Sequence, residues 1–208
     1  EDRLMLFLVV AFFILLSLAG GWVMDMLHNA RASAERLALT DDLTGLPNRR
    51  HAHMRLEPMF TDAPGRGLSV LFFDLDRFKE YNDRYGHPGG DRVLEAFGKL
   101  LHRALPKGGF ACRYGGEEFL AVLGTNALDV AVEFARSVRN MLARQDGLEE
   151  SLTVSVGIAA WDSAMRTRGD ILAAADAALY AAKSSGRDAI RVHRQAGAPA
   201  EPLSIAGI

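Results

Sequence analysis

The chain has 208 residues, enough for one catalytic-size domain and an appendage. With 24 Lys and Arg against 26 Asp and Glu, its formal net charge of −2 argues against a polybasic nucleic-acid binder. The single cysteine, Cys112, excludes an internal disulfide framework and a cysteine-only zinc site, and 24% charged residues exclude wholesale disorder.

Residues 4–24 read LMLFLVVAFFILLSLAGGWVM, without a charge and without a polar face. As a helix this segment is about 31 Å long, against a bilayer core of about 30 Å, so a transmembrane helix is expected over 1–24. Arg31 and Arg36 follow the span and Arg3 alone precedes it, which places the C-terminal side in the cytoplasm. Trp22 fits an interfacial anchor at the membrane edge. The missing initiator methionine suggests an excerpt of a longer chain. Residues 25–40 read as a helix in which Leu27, Ala30, Ala34 and Leu37 form a short seam. This is either a parallel dimer stalk or a surface helix packed on its own domain.

Gly45 and Pro47 punctuate the chain and predict a turn, then a new helix from about Asn48. The apolar run 68–73 suits a buried strand. A short helix is expected over 77–85, a loop at His87-Pro88-Gly89-Gly90, and an amphipathic helix over 91–105. Residues 110–114 and 118–123 read as strands joined by a Gly115-Gly116 hairpin loop. A helix over 127–144 has Val130, Val132, Phe134, Val138 and Leu142 as its apolar positions. A strand over 152–159, a helix over 170–184 and a closing strand over 189–192 complete the pattern. Helices alternating with strands, one pair of them antiparallel, predict an α+β fold with a mixed sheet flanked by helices. The tail 195–208 reads as a loose end.

Asp74-Leu75-Asp76 closes the first buried strand, and Glu117-Glu118 sits at the hairpin tip. If the two strands are neighbours, Asp74 and Glu117 meet and repel, a conflict that a hard divalent cation resolves. Asp76 reads equally as a cap for the helix after it. Lys79 lies just beyond the aspartates. Lys183 and Arg187 are four apart and share a face if the helix persists, where they also complement its dipole. Asn82 and Asp91 flank the glycine loop and match the donors of a guanine edge, although Asp91 also reads as an ordinary N-cap. His28, His51, His53, His102 and His193 show no metal-ligand spacing, and His87 reads as a structural hydrogen-bonding residue. Cys112 reads as a small buried hydrophobe.

These blocks together, in this order, resemble the GGDEF-type diguanylate cyclases. The resemblance runs from about Thr40 to Val192. It rests on Asp42-Leu43-Thr44-Gly45-Leu46 with Asn48-Arg49-Arg50, Asp74-Leu75-Asp76 with Phe78-Lys79, Asn82-Asp83, Gly86-His87 and Gly90-Asp91. It continues through Arg113-Tyr114-Gly115-Gly116-Glu117-Glu118-Phe119, Ser155-Val156-Gly157, Ala175-Asp176, Ala178-Leu179-Tyr180, Ala182-Lys183 and Gly186-Arg187. It implies a nucleotidyl-cyclase-like fold with a ferredoxin-like βαββαβ core over 41–194. It also implies condensation of two GTP to cyclic di-GMP and two pyrophosphates across a homodimer.

Carried over by position, Asp74, Glu117 and the Leu75 carbonyl hold Mg²⁺, with Mn²⁺ as an alternative. Glu118 lies beside the metal and the reacting ribose, and Glu117 accepts the 3′-OH proton. Lys79 stabilises triphosphate charge, and Lys183 and Arg187 grip the terminal phosphates. Asn82 and Asp91 read guanine, with Phe78 beside them, while Gly115 and Gly116 let the nucleotide approach the backbone. The expected setting is the inner (cytoplasmic) membrane, with a single span at 4–24, a cytoplasmic catalytic domain and an upstream sensor outside this chain. Many members carry an Arg-x-x-Asp product-binding motif nine residues before the first motif glycine. Here Pro106-Lys107-Gly108-Gly109 stand there, so little feedback inhibition is expected through that site. The competing expectations are a non-catalytic GTP-binding or scaffold module and a cyclase of different base preference, against which the aspartate at 91 argues.

Overall fold

Each residue from Ser69 to Leu75 is buried, so the strand they form presents apolar side chains to both faces of a sheet. The structure is a computed structural model. It describes residues 39–193 and scattered helical positions of the N-terminal segment (5, 16–18, 20–22, 24 and 26). The chain divides into two units, Glu1–Thr40 and Asp41–Ile208. Apart from those positions, the expected membrane helix, the stalk at 25–40 and the tail at 195–208 lie outside the described residues. Within the first unit Leu16, Leu18, Trp22, Met24 and Met26 are exposed. Among the described residues no helix is long and apolar enough to cross a membrane.

The second unit runs α1 (Arg49–Arg66), β1 (Ser69–Leu75), α2 (Phe78–Ala104), β2 (Phe110–Arg113), β3 (Glu118–Leu123), α3 (Leu128–Ala143), β4 (Val154–Ala160), α4 (Arg168–Ser184) and β5 (Ile190–Val192). The strand order is β2-β3-β1-β4-β5. β1 is antiparallel to both β3 and β4, β2 to β3, and β5 adds in parallel to β4. The segment β1-α2-β2-β3-α3-β4 is therefore the expected βαββαβ core, in a mixed sheet. Leu71, Phe73 and Leu75 pack with Phe97 of α2 and Phe134 of α3 on one face. Val70 and Phe72 pack with Leu56 of α1 and Ile171 and Leu179 of α4 on the other. Asp74 follows Val70 and Phe72 in strand parity, which puts it on the α4 side.

Three local expectations are corrected. Residues 87–90 are not a loop: α2 runs through them, and only Gly86 (φ 74°, ψ 166°) leaves helical geometry. Pro88 lies in the first turn after this kink, where a missing N–H leaves no helical bond unmade. Gly89 and Gly90 serve close packing, since a Cβ at Gly90 would lie 1.9 Å from Asn82 Oδ1. The β2–β3 connection is longer than two residues. Tyr114 and Gly115 both donate to the Glu118 carbonyl, at 2.8 and 3.0 Å, leaving Gly115-Gly116-Glu117 as the tip. In α3, Val130 is exposed, and the core face is Ala131, Val132, Phe134, Ala135, Val138 and Leu142.

Candidate active site

The sheet end where β1 stops and the β2–β3 tip turns brings acidic residues of two strands side by side. Asp74 pairs with Glu118 in the β1–β3 register, and Leu75 N–H donates to the Glu117 carbonyl at 3.4 Å. Adjacency of these strands brings the Asp74 and Glu117 carboxylates into mutual repulsion. Asp74 is 5% exposed, and burial pushes its carboxyl above the usual carboxylate range. Burial and then the Asp74 charge do the same to Glu117. The countercharge comes from α4, whose Lys183 Nζ lies 2.7 Å from Asp74 Oδ2. Lys183 reaches it because α4 lies directly on the sheet: a Cβ at Gly157 of β4 would come within 2.1 Å of Leu179 N and 2.3 Å of Ala175 O.

Arg187 is placed otherwise than a continuing helix would put it. α4 ends at Ser184, and Gly186, Arg187 and Asp188 take φ of 107°, 66° and 43°. This left-handed turn leaves Arg187 close enough for its charge to lower the Asp74 pKa against the effect of burial. Gly115 is crowded from the other side, since a Cβ there would lie 2.5 Å from Glu118 Oε2. Glu118 also borders a cavity of about 300 Å³ with Arg49, Tyr114 and Asp176.

A second cluster lies at the α2 kink. Asn82 Oδ1 is buried without a hydrogen-bond partner, against Gly90 and beside the buried Phe78 ring. A buried amide oxygen without a donor is uncommon, and it marks a place where a ligand can supply one. Asp91 is exposed five residues beyond Gly86, inside α2, and is no N-cap. Lys79 is exposed near the start of α2 and forms no ion pair among the described residues. The site residues expected from sequence thus fall into a carboxylate–lysine group and a kink group, and Lys79 follows Phe78 on the exposed side of the helix start.

Several structural partners carried no role in the sequence reading. Arg113 donates through Nε and Nη2 to the Gly116 carbonyl at 3.1 and 2.8 Å, and its Nη1 lies 3.1 Å from both Asp41 oxygens. Burial works against ionised Asp41, but hydrogen bonds from Thr44 and the Arg113 charge hold its pKa below the usual value. His53 Nε2 meets Tyr114 Oη at 3.2 Å, and the Arg49 guanidinium stacks on the same ring. Burial, then Arg168 and Arg49, lowers the His53 pKa. Asp76 is not the expected cap: Arg77, at φ 56°, occupies the N-cap position of α2. Asp76 is buried and accepts from Thr153 Oγ1 and Ser155 Oγ, each at 2.7 Å, and from Asp188 N–H at 3.0 Å. The signal for Asp76 was its strand parity with Asp74. The Arg113 bonds to Gly116 are local, whereas the Arg113–Asp41 and His53–Tyr114 contacts join distant segments and carry no local signal. Cys112 is buried as expected, and burial pushes its thiol pKa up to about 12.

The donor chemistry suits a hard divalent cation. Asp74, Glu117 and a carbonyl at Leu75 are all oxygen groups, and the two carboxylates repel. Among the described residues no cluster of three or more His, Cys, Asp or Glu side chains stands ready to hold a metal. Magnesium typically takes one or two carboxylates and completes its shell with substrate phosphate, so two suffice.

The arrangement is two adjacent carboxylates, a lysine and a glycine-rich tip at the end of a ferredoxin-like sheet. The family model for "Diguanylate cyclase, GGDEF domain" matches residues 38–189, and the chain belongs to that family. The response regulator PleD of Caulobacter vibrioides is 36% identical over 174 residues, covering 80% of this chain and 38% of PleD. Diguanylate cyclase DgcM of Escherichia coli K12 is 38% identical over 160 residues, covering 75% of this chain and 38% of DgcM. The chain therefore spans well under half the length of these relatives. The coiled coil and GGDEF domain of DgcB from Caulobacter crescentus, solved with c-di-GMP, superimposes with a TM-score of 0.76 at 29% identity. That match covers 81% of this chain and 93% of the solved one.

Proposed function

We propose that this chain is the catalytic output of a membrane signalling protein and condenses two GTP into cyclic di-GMP and two pyrophosphates across a homodimer. The observation that carries the reading is the meeting of Asp74, Glu117 and Lys183 beside the Gly115-Gly116 tip. Asp74, Glu117 and the Leu75 carbonyl would hold Mg²⁺, or Mn²⁺ in its place. When bound, the cation would neutralise triphosphate charge and acidify the attacking 3′-OH. The Glu117 carboxylate would take the 3′-OH proton. Glu118 packs over Gly115 beside the ribose. Lys183 and Arg187 grip the terminal phosphates, and Lys79, extended from α2, meets the triphosphate once it is bound. Asn82 Oδ1 receives a guanine donor, Asp91 accepts from the same edge, and Phe78 backs the pair.

One monomer holds one GTP, so two sites must face each other for each 3′-OH to attack the other α-phosphate in line. Residues 4–24 would anchor the chain in the cytoplasmic membrane, and 25–40 would bring two copies together. The exposed apolar positions from Leu16 to Met26 support that anchor. The catalytic unit would face the cytoplasm, under an upstream sensor.

The test is product analysis by chromatography with mass detection. The chain, in lipid nanodiscs holding one or two copies, is incubated with Mg²⁺ and GTP beside Glu117→Ala. Cyclic di-GMP from two-copy discs alone, absent in the variant, is the expected result. Nucleotide binding without turnover in either disc would instead favour a non-catalytic binding module.

A further inference from the structure

We propose that Arg139, Asp188 and Asp76 form a latch that positions Arg187 toward the terminal phosphates of the nucleotide. The inference rests on the reading of Arg187 as a phosphate ligand. Gly186, Arg187 and Asp188 form three successive residues at positive φ, two of them with side chains. L-residues adopt that region only at a cost, so surrounding contacts must hold the turn.

Those contacts come from three elements. Arg187 N–H donates to Ala182 O at 3.2 Å, folding the turn back on α4. Asp188 N–H donates to buried Asp76 Oδ2, which Thr153 and Ser155 fix from β4 and the loop before it. The Asp188 carboxylate is gripped from α3, with Arg139 Nε to Oδ1 at 2.6 Å and Nη2 to Oδ2 at 2.8 Å. Asp188 is thus held by its backbone from the end of β1 and by its side chain from α3. Arg187, between the folded-back end of α4 and this anchored residue, has little freedom left in its backbone. Its exposed guanidinium acts electrostatically on Asp74, the carboxylate that Lys183 pairs. Arg139, Asp188 and Asp76 are therefore positioning residues: none need touch the nucleotide, and all act through the turn.

The two ends of the Arg139–Asp188 pair carry opposite charge, which separates geometry from field. Arg139→Ala removes a positive charge, Asp188→Asn removes a negative one, and both break the bidentate pair. Binding is measured on the full chain in nanodiscs with Mg²⁺, using 3′-deoxy-GTP and 3′-deoxy-GMP, which cannot cyclise. For each variant of the latch we expect about fivefold weaker triphosphate binding and monophosphate binding within about twofold, as a half-exposed ion pair permits. Arg187→Ala is the reference and weakens the triphosphate by at least as much.

Opposite signs for Arg139→Ala and Asp188→Asn would mean that local field, not the latch, sets the affinity. Equal weakening of both nucleotides would mean a general structural role, and either result overturns the proposal. If Arg187→Ala weakens the triphosphate and the latch variants do not, the latch fails and the phosphate reading stands. If Arg187→Ala leaves the triphosphate unmoved, the phosphate reading itself fails and the latch with it. Should Arg139→Ala not fold, Arg139→Gln, which also removes the positive charge and the bidentate pair, takes its place against Asp188→Asn.

Discussion

At the end of the site proposed for the phosphates, Asp76 is 5% exposed and is held by buried Ser155, by Thr153 at the surface and by the backbone of the turn. At the base end, the two segments of α2 are held across the Gly86 kink from the solvent side. Tyr81 donates to Glu149 at 2.6 Å, Arg92 pairs with the same glutamate, and Arg84 pairs with Glu150 at 2.6 Å. The Arg84 and Glu150 side chains are 65% and 50% exposed. One end is fixed by buried hydrogen bonds and backbone contact, the other by a strap of exposed charge. Interior hydrogen bonds keep their strength in salt, while exposed ion pairs are worth little and are screened. The phosphate end is therefore expected to be rigid and costly to alter, and the base end adjustable and cheap to alter.

The largest test of this contrast is Gly157→Ala. The added Cβ meets only backbone of α4, Leu179 N at 2.1 Å and Ala175 O at 2.3 Å, so the helix itself must lift. The expected loss is about 3 kcal/mol or more in urea unfolding, because no side chain can yield. Lys183 then leaves Asp74, and cyclic di-GMP formation falls to background. A variant within about 1 kcal/mol of the parent would show that the phosphate end is softer than its contacts imply.

Gly90→Ala probes the base end in the same way, with a different outcome. Its Cβ meets the tips of side chains, Asn82 Oδ1 at 1.9 Å and the Phe78 ring at 3.0 Å, both of which can turn aside. A helical glycine replaced by alanine also gains about 0.5–1 kcal/mol from backbone entropy, so stability changes little. The displaced Asn82 costs nucleotide recognition, and KM for GTP rises about tenfold with kcat within about twofold. Steady-state kinetics and a urea melt on one preparation check both halves. Large destabilisation with unchanged KM would erase the distinction between the two ends.

How far the sequence reveals this site follows from the range of each interaction. β1 was legible because burial on both faces leaves a continuous apolar run, and the repulsion between Asp74 and Glu117 followed from strand adjacency. The hairpin was legible as a turn, but its tip length depended on a bifurcated bond to Glu118 that composition does not encode. Glycine misled at 89 and 90, where the lack of a side chain serves close packing of a helix. It also concealed the end of α4, where the four-residue spacing of Lys183 and Arg187 mimics a helical face. The Arg113–Asp41 and Arg139–Asp188 pairs span 72 and 49 residues, beyond any local pattern. What a single segment determines could be read; what two distant segments determine together required the fold.

A smaller effect is expected at the strap itself. Glu149→Gln keeps a hydrogen-bond acceptor for Tyr81 but removes the charge that Arg92 meets across the kink. KM for GTP should rise about two- to threefold at low ionic strength and converge on the parent value near about 0.5 M salt, where the Debye length is only a few ångströms. Ser155→Ala, which removes a buried hydrogen bond to Asp76 beneath the turn, should keep its binding defect in the same salt series. Parallel salt curves for the two variants would remove the distinction between a screened strap and an internal latch.

The last difference is one of proton linkage between the carboxylates proposed to hold the metal and the support beneath the signature tip. The folded pKa of Asp41 lies below its ordinary value of 3.8, so its contribution to stability is complete above that value. It is lost as pH falls through the folded pKa. Glu117 is the reverse: burial and Asp74 raise its folded pKa above the ordinary 4.5. Its ionised form therefore costs stability at neutral pH, and the cost is relieved as pH falls through the raised value toward 4.5. Thermal melts should show Asp41→Asn below the parent and Glu117→Gln above it at neutral pH, with both differences shrinking toward acid. Adding Mg²⁺ should raise the parent Tm while leaving Glu117→Gln nearly unmoved, because the variant has lost both the repulsion and a ligand. Glu117→Gln less stable than the parent at neutral pH would mean that the carboxylates do not oppose folding. The strain at the metal end would then have to be sought in the turn at 186–188 alone.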